Sequence, residues 1–165
     1  VGSLRKDSIN KKLAAALQTL FPPEFSFVSV RIDDLPLYCQ DDDASPPASA
    51  VRLKSEIAAA QGVLFVTPEY NRSIPGVLKN ALDHGSRPYG HSAWDGKAAG
   101  VIGTSAGGAA TALAQQHLRN VLAYLNMPTL GQDGLYDDTG TLSQASRKFL
   151  QGWVDAYVAW VKKHA

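Results

Sequence analysis

A single cysteine, Cys39, and a single methionine, Met127, stand among 165 residues. One cysteine excludes an internal disulfide and any cysteine-rich metal site, and it reads as a passive thiol rather than a nucleophile. That usage fits a reducing cytoplasm. Charge excess is missing too: 16 basic against 15 acidic residues leave a formal +1, no polyelectrolyte signal for nucleic acid or an anionic membrane. Lys162 and Lys163 are too few to form a basic patch. No apolar run nears the roughly 20 residues that span a bilayer, and no charged-then-apolar leader opens the chain, so a soluble protein is expected. What is present is a 45% hydrophobic chain of single-domain length, able to build one core, with no repeat and no low-complexity linker.

Strand and helix signals alternate along it, which places it in the α/β class. The short apolar runs at residues 63–66 and 101–102 suit central parallel strands buried on both faces. Residues 25–32 alternate apolar and polar in part, as an edge strand exposed on one side does, and residues 127–130 are expected as the last strand. Helices are expected on the repeat Leu13, Leu17, Leu20 and at residues 47–60, 76–84, 109–125 and 143–163. In the 109–125 helix, Leu113, Leu118, Val121, Leu122 and Leu125 are expected to share one face.

Two polar segments stand out against this framework. Thr67-Pro68-Glu69-Tyr70-Asn71-Arg72-Ser73-Ile74-Pro75-Gly76 follows the first apolar run and leads into a helix. A loop at the end of a buried strand is where open α/β sheets bind ligands. Two prolines stiffen it, Tyr70 offers an aromatic face, and spare backbone N–H groups suit a flat, hydrogen-bonding heterocycle. The plain alternative is a proline-rich crossover turn. Gly2-Ser3-Leu4-Arg5-Lys6-Asp7-Ser8-Ile9-Asn10 runs into the first helix. Free N–H groups and the positive end of the helix dipole attract phosphate there, with Ser3, Ser8 and Asn10 as neutral donors and Arg5 as a charged planar one. Ordinary capping by Ser8 or Asp7 is the alternative. Neither segment is a G-x-G-x-x-G fingerprint or a G-K-[ST] phosphate loop, which disfavours classical dinucleotide binding and nucleoside triphosphate hydrolysis.

Together the two segments resemble the NADPH-dependent FMN reductase family, the flavodoxin-like group that includes quinone and chromate reductases. Gly2 to Asn10 is similar to its G-S-L-R-x-x-S-x-N phosphate loop, and Thr67 to Asp83 to its [T/S]-P-E-Y-N-x-S-x-P-x-x-L-K-N-A-x-D flavin segment. Ser86-Arg87-Pro88, Gly103-Thr104-Ser105 and Gln116-His117-Leu118-Arg119 extend the likeness over nearly the whole chain. The resemblance implies one flavodoxin-like domain over residues 1–165, a three-layer sandwich with an open parallel sheet between helices. Val1 stands directly before the phosphate loop, so the first strand is expected to be truncated and residues upstream to be missing.

The resemblance further implies tightly bound FMN, with its phosphate on Ser3, Arg5, Ser8 and Asn10 and its ring against Pro68, Glu69, Tyr70 and Asn71. Arg72 and Ser73 assist, and Ser105 and Gly107 form a small-residue loop that lets the ring or ribityl chain approach the backbone. NADPH or NADH is the implied hydride donor, and a quinone, chromate, an azo compound or free flavin the acceptor, with no catalytic side chain demanded. The family often has tryptophan where this chain has His84, so acceptor contacts at that position are not carried over. A cytoplasmic homodimer or homotetramer is the implied state.

Two other functions fit parts of the sequence. Gly103-Thr104-Ser105-Ala106-Gly107 matches the G-x-S-x-G nucleophile elbow of esterases, but only His117 and His164 follow Ser105, and neither reads as a loop-borne base. A flavodoxin-like electron carrier shares the fold, yet such carriers are strongly acidic and their phosphate loops are not built around an arginine. The remaining motifs are modest. Asp41-Asp42-Asp43 reads as a solvated loop with no metal, Asp133-Gly134 and Asp137-Asp138-Thr139-Gly140 as turns, and Gln115, Gln116, His117 and Arg119 as a solvated helix face. His84, His91, Tyr89 and Trp94 follow the flavin loop and either border the acceptor site or, the simpler reading, form an aromatic surface loop packing on itself.

Overall fold

The computed structural model describes residues 1–107, 109–131, 134–136 and 144–165. Helix α1 (Ile9–Gln18) is followed by a short 3-10 turn (Gln40–Asp42), α2 (Ala48–Ala59), β1 (Gly62–Val66), α3 (Gly76–Ser86), β2 (Ala98–Thr104), α4 (Ala112–Tyr124), β3 (Gly134–Tyr136) and α5 (Gln144–His164). The described strands form one parallel sheet in the order β1-β2-β3.

Strand alternation sorts the side chains between two cores. Val63 and Phe65 of β1, with Ala99 and Val101 of β2, pack under α2, α3 and α4. Leu64, Val66, Ala98 and Ile102 point the other way, under α1 and α5. Both faces are therefore covered, which is why these strands read as unbroken apolar runs. On the α5 side, Trp153 and Tyr157 stack at 5.5 Å and press on Gly100, where an added Cβ would lie 2.7 Å from the Tyr157 ring. Burial pushes the Tyr157 phenol well above its ordinary pKa.

The predicted helices appear with small shifts at their ends. Pro47 and Pro75 stand at the N-caps of α2 and α3, where proline forfeits no helical hydrogen bond. Helix α4 starts at Ala112 rather than residue 109, because Ala110 is left-handed at φ 47° and cannot continue a right-handed helix. Leu113 is exposed instead of sharing the apolar face: Ala114, Gln115, Leu118 and Leu122 are buried, with Val121 and Leu125 half-buried beside them.

Three sequence expectations are corrected. Residues 25–32 are not a strand, although Phe25, Phe27, Val30 and Ile32 are half-buried in partial alternation. The Gly2 N–H donates to the Val66 carbonyl at 2.8 Å, so the chain before the phosphate loop lies beside β1. Residues 127–130 touch β2 through one parallel pairing, Ala99 with Thr129. Pro128 has no N–H with which to extend it. The edge strand is β3 instead, so Gly134, expected in a turn, opens a strand. Asp133 and Asp137 to Gly140 lie outside the described residues.

Gly103, at the end of β2, admits no side chain: a Cβ would lie 2.1 Å from the Thr67 carbonyl oxygen and 2.5 Å from Thr111 Oγ1. Neither backbone nor buried threonine can yield cheaply. Gly103→Ala is expected to destabilise the protein by about 2–3 kcal/mol, lowering the thermal midpoint by about 5–10 °C in a calorimetric scan.

Candidate functional site

The carboxyl ends of the parallel strands carry three loops, at residues 2–8, 67–75 and 104–111, and long-range hydrogen bonds gather them. Thr67 N–H donates to the Ile102 carbonyl at 3.0 Å. Asn10, 2% exposed, donates its amide to the Thr104 carbonyl at 2.9 Å and accepts from the Thr104 N–H at 3.0 Å. The start of α1 is thereby fixed beside the end of β2.

In the first loop, Ser3 and Ser8 are buried, while Arg5 stays exposed. Ser8 caps α1, its Oγ accepting from the Lys11 N–H at 3.3 Å. Yet none of the backbone N–H groups from Ser3 to Asn10 donates to another described residue. A row of unanswered donors at a helix start, with two buried hydroxyls beside it, is a cradle for an anion.

In the second loop, Tyr70 and Ser73 exchange two backbone hydrogen bonds at 3.0 Å. Between them Asn71 and Arg72 are left-handed, at φ 51° and 64°. This is a two-residue type I′ turn made without glycine. Pro68 is half-buried below it and Tyr70 is 51% exposed at its edge. The Glu69 carboxylate accepts from the Leu113 and Ala114 N–H groups, both at 3.0 Å, and lies 3.6 Å from Arg72 Nη1. In the third loop, Ser105 Oγ accepts from the Gly107 N–H at 3.2 Å.

Comparison with known proteins interprets this arrangement. The family model described as NADPH-dependent FMN reductase matches residues 1–141. A 2-hydroxy-1,4-benzoquinone reductase from a Burkholderia species is 53% identical, over 98% of this chain and 93% of the relative. A quinone reductase from Pseudomonas putida is 47% identical, over 98% and 92%. The solved structure of FerB, a flavoenzyme NAD(P)H:(acceptor) oxidoreductase from Paracoccus denitrificans, superposes with a TM-score of 0.91 at 45% identity, covering 99% of this chain and 94% of FerB. The chain belongs to the NADPH-dependent FMN reductase family. It is an oxidoreductase of flavodoxin-like fold that uses FMN with NAD(P)H.

For a member of this family the residues present fit the cofactor, since the anion cradle at Ser3 to Asn10 offers a phosphate the donors it requires. Asn10 has a further part: one N–H of its amide goes to the Thr104 carbonyl and its Oδ1 accepts from the Thr104 N–H, so it also sets the cradle's position. The esterase pattern finds no support in the geometry. Ser105 has no hydrogen bond to a histidine among the described residues, His117 Nδ1 is held by Ser73 Oγ at 2.6 Å, and the His164 ring lies 4.3 Å from that of Trp160. Among the described residues no group of three His, Cys, Asp or Glu is placed to hold a metal ion.

Sequence reading missed several participants. Gln115 is 1% exposed, its Nε2 donating to Thr111 Oγ1 at 2.9 Å, and Arg119 reaches the Leu130 carbonyl, so the supposed solvated face is largely engaged. Thr67, Thr104 and Thr111 carried no motif signal beyond their loops. His84 is turned from the strand ends, bonding the Pro36 carbonyl at 2.8 Å, and Trp94 donates to the Leu82 carbonyl at 2.9 Å.

If Asn10 is a tie, Asn10→Asp leaves the Thr104 carbonyl facing a buried carboxylate and costs about 2–4 kcal/mol even without flavin. Burial and that carbonyl raise the folded-state pKa of the new acid above its unfolded value. The deficit against the parent protein should therefore be largest at neutral pH and shrink as the acid protonates towards about pH 4. Urea unfolding of both proteins across that range measures it.

Proposed function

We propose that the chain is an NAD(P)H:quinone oxidoreductase that holds FMN with its phosphate in the Ser3 to Ser8 loop and its ring against Pro68, Tyr70 and Asn71, with Glu69 in the loop that carries them. The observation that carries this is the run of N–H groups from Ser3 to Asn10 that donate to no other described residue, set by Asn10 beside the strand-end loops. FMN, once bound, supplies the redox chemistry, taking a hydride from the nicotinamide and passing electrons to the acceptor.

The protein's part is binding, orientation and electrostatics. Ser3 and Ser8 line the phosphate cradle, and Arg5, exposed at its rim, adds a charge-assisted hydrogen bond. The N–H groups of Asn71 and Arg72, which donate to no other described residue, are the donors offered to the ring edge that gains negative charge on reduction. Ser105 and Gly107 offer little side-chain bulk beside it. No side-chain acid or base is needed, and the proposed catalytic contribution is this preorganised set of donors.

A quinone is the acceptor best supported, because the relatives at 53% and 47% identity carry quinone reductase names. Chromate, azo compounds and free flavin are the acceptors to compare with it. We infer also one domain and a cytoplasmic homodimer or homotetramer, supported by exposed Leu37, Tyr89 and Tyr124 and by the absence, among the described residues, of a helix long and apolar enough to cross a membrane.

The visible spectrum after FMN addition and desalting tests the proposal. Retained flavin bands, bleached anaerobically by NADPH and restored by a quinone, are expected; a colourless protein refutes it. Arg5→Ala should weaken FMN binding about tenfold or more while leaving riboflavin affinity and the unfolding midpoint unchanged. Tyr70→Ala should alter the quenching of flavin fluorescence or turnover, measured on the reconstituted protein.

A further inference from the structure

We propose that Glu69 acts as an internal anion that clamps the ring-binding loop to α4, a positioning residue and not a ligand of the flavin. The proposal rests on the FMN reading above and assigns this side chain its part in that site.

A helix of this length needs something to satisfy its first N–H groups. Thr111 occupies the N-cap of α4 but gives no side-chain cap, because its hydroxyl is buried and accepts from Gln115 Nε2 at 2.9 Å. The vacancy is filled from 44 residues away. Glu69 Oε2 takes the Leu113 and Ala114 N–H groups, the two a local cap would serve. A carboxylate there also faces the positive end of the helix dipole. The other oxygen, Oε1, lies towards Arg72, and the side chain is 9% exposed. With both oxygens engaged and the charge offset by helix and guanidinium, Glu69 is not poised as an acid, a base or a contact to the ring.

A second contact repeats the connection. Ser73 and His117 are hydrogen-bonded at 2.6 Å, about one turn further along α4. The turn from Tyr70 to Ser73 is thus fastened to the same helix on both sides of its left-handed residues, Asn71 and Arg72. Non-glycine residues in that conformation persist where surrounding contacts over-determine them. Release of Glu69 removes one of the two fastenings, and the N–H groups of Asn71 and Arg72 lose their aim.

The test compares Glu69→Gln and Glu69→Ala with the parent protein in three measurements: FMN affinity, riboflavin affinity, and hydrogen exchange at the Leu113 and Ala114 amides of the flavin-free protein. Glu69→Ala should speed exchange at those two amides and weaken FMN and riboflavin by the same factor, about tenfold, as expected for loss of a cap. Glutamine keeps an oxygen acceptor for both N–H groups, so Glu69→Gln should restore slow exchange and bring both affinities within about threefold of the parent. Unchanged affinity in Glu69→Ala, a loss confined to FMN, or unchanged exchange at the two amides in Glu69→Ala would each overturn the proposal. Should Glu69→Ala fail to fold, His117→Ala combined with Glu69→Gln provides the comparison: affinity lost in that pair but kept in Glu69→Gln alone supports two fastenings, and affinity kept in the pair overturns them. A parent protein that binds no flavin refutes the FMN reading, while amide exchange still decides whether Glu69 caps α4.

Discussion

Asn10 and the Thr104 backbone exchange a donor and an acceptor in a buried site, across 94 residues of chain. Backbone groups at a strand end that are shut off from water must find partners inside the protein. Thr104 finds both in one side chain. Because Asn10 belongs to the first turn of α1, meeting that requirement also fixes the helix start, and with it the run of donors from Ser3 onwards, over the end of β2. Hydrogen bonding demanded by burial thus places the proposed phosphate cradle.

The other loops are set by similar constraints. Thr67 bonds Ile102, and its carbonyl closes on Gly103 so tightly that only glycine fits. Glu69 and Ser73 tie the flavin loop to α4, whose own cap residue is engaged elsewhere. Each tie joins a loop to an element it does not adjoin in sequence. Such ties suit the proposed electrostatic stabilisation, since donors that must reorganise when charge develops forfeit much of their effect. Beneath it, two apolar layers hold the sheet, with the stacked Trp153 and Tyr157 resting on Gly100 and the α2–α4 layer covering the opposite face.

Much of this was legible in the residues. The runs at 63–66 and 101–102 announced strands buried on both faces, and the leucines of α1 announced its apolar side. The two polar segments were recognisable because a phosphate loop and a flavin loop need particular residue types at fixed spacing. Reading failed where a neighbour decided. Residues 25–32 have the partial alternation of a strand but no ladder beside them, and residues 127–130 have β propensity interrupted by Pro128. Leu113 is apolar yet exposed, because α4 begins after a left-handed alanine and its face is set by Leu118 and Leu122.

Order along the chain determined the α/β class, the family and the two loops, since apolar periodicity and short motifs are local properties of residue type. Tertiary structure alone decided what each polar side chain does. Asn10, read as a phosphate donor, also ties α1 to the end of β2, Glu69, read as part of the ring site, caps a distant helix, and His117, read as part of a solvated face, is exposed and also holds Ser73. The physical reason is that the groups serving Asn10 and Glu69 are backbone N–H and C=O, which every residue but proline carries in full and which leave no mark on the sequence.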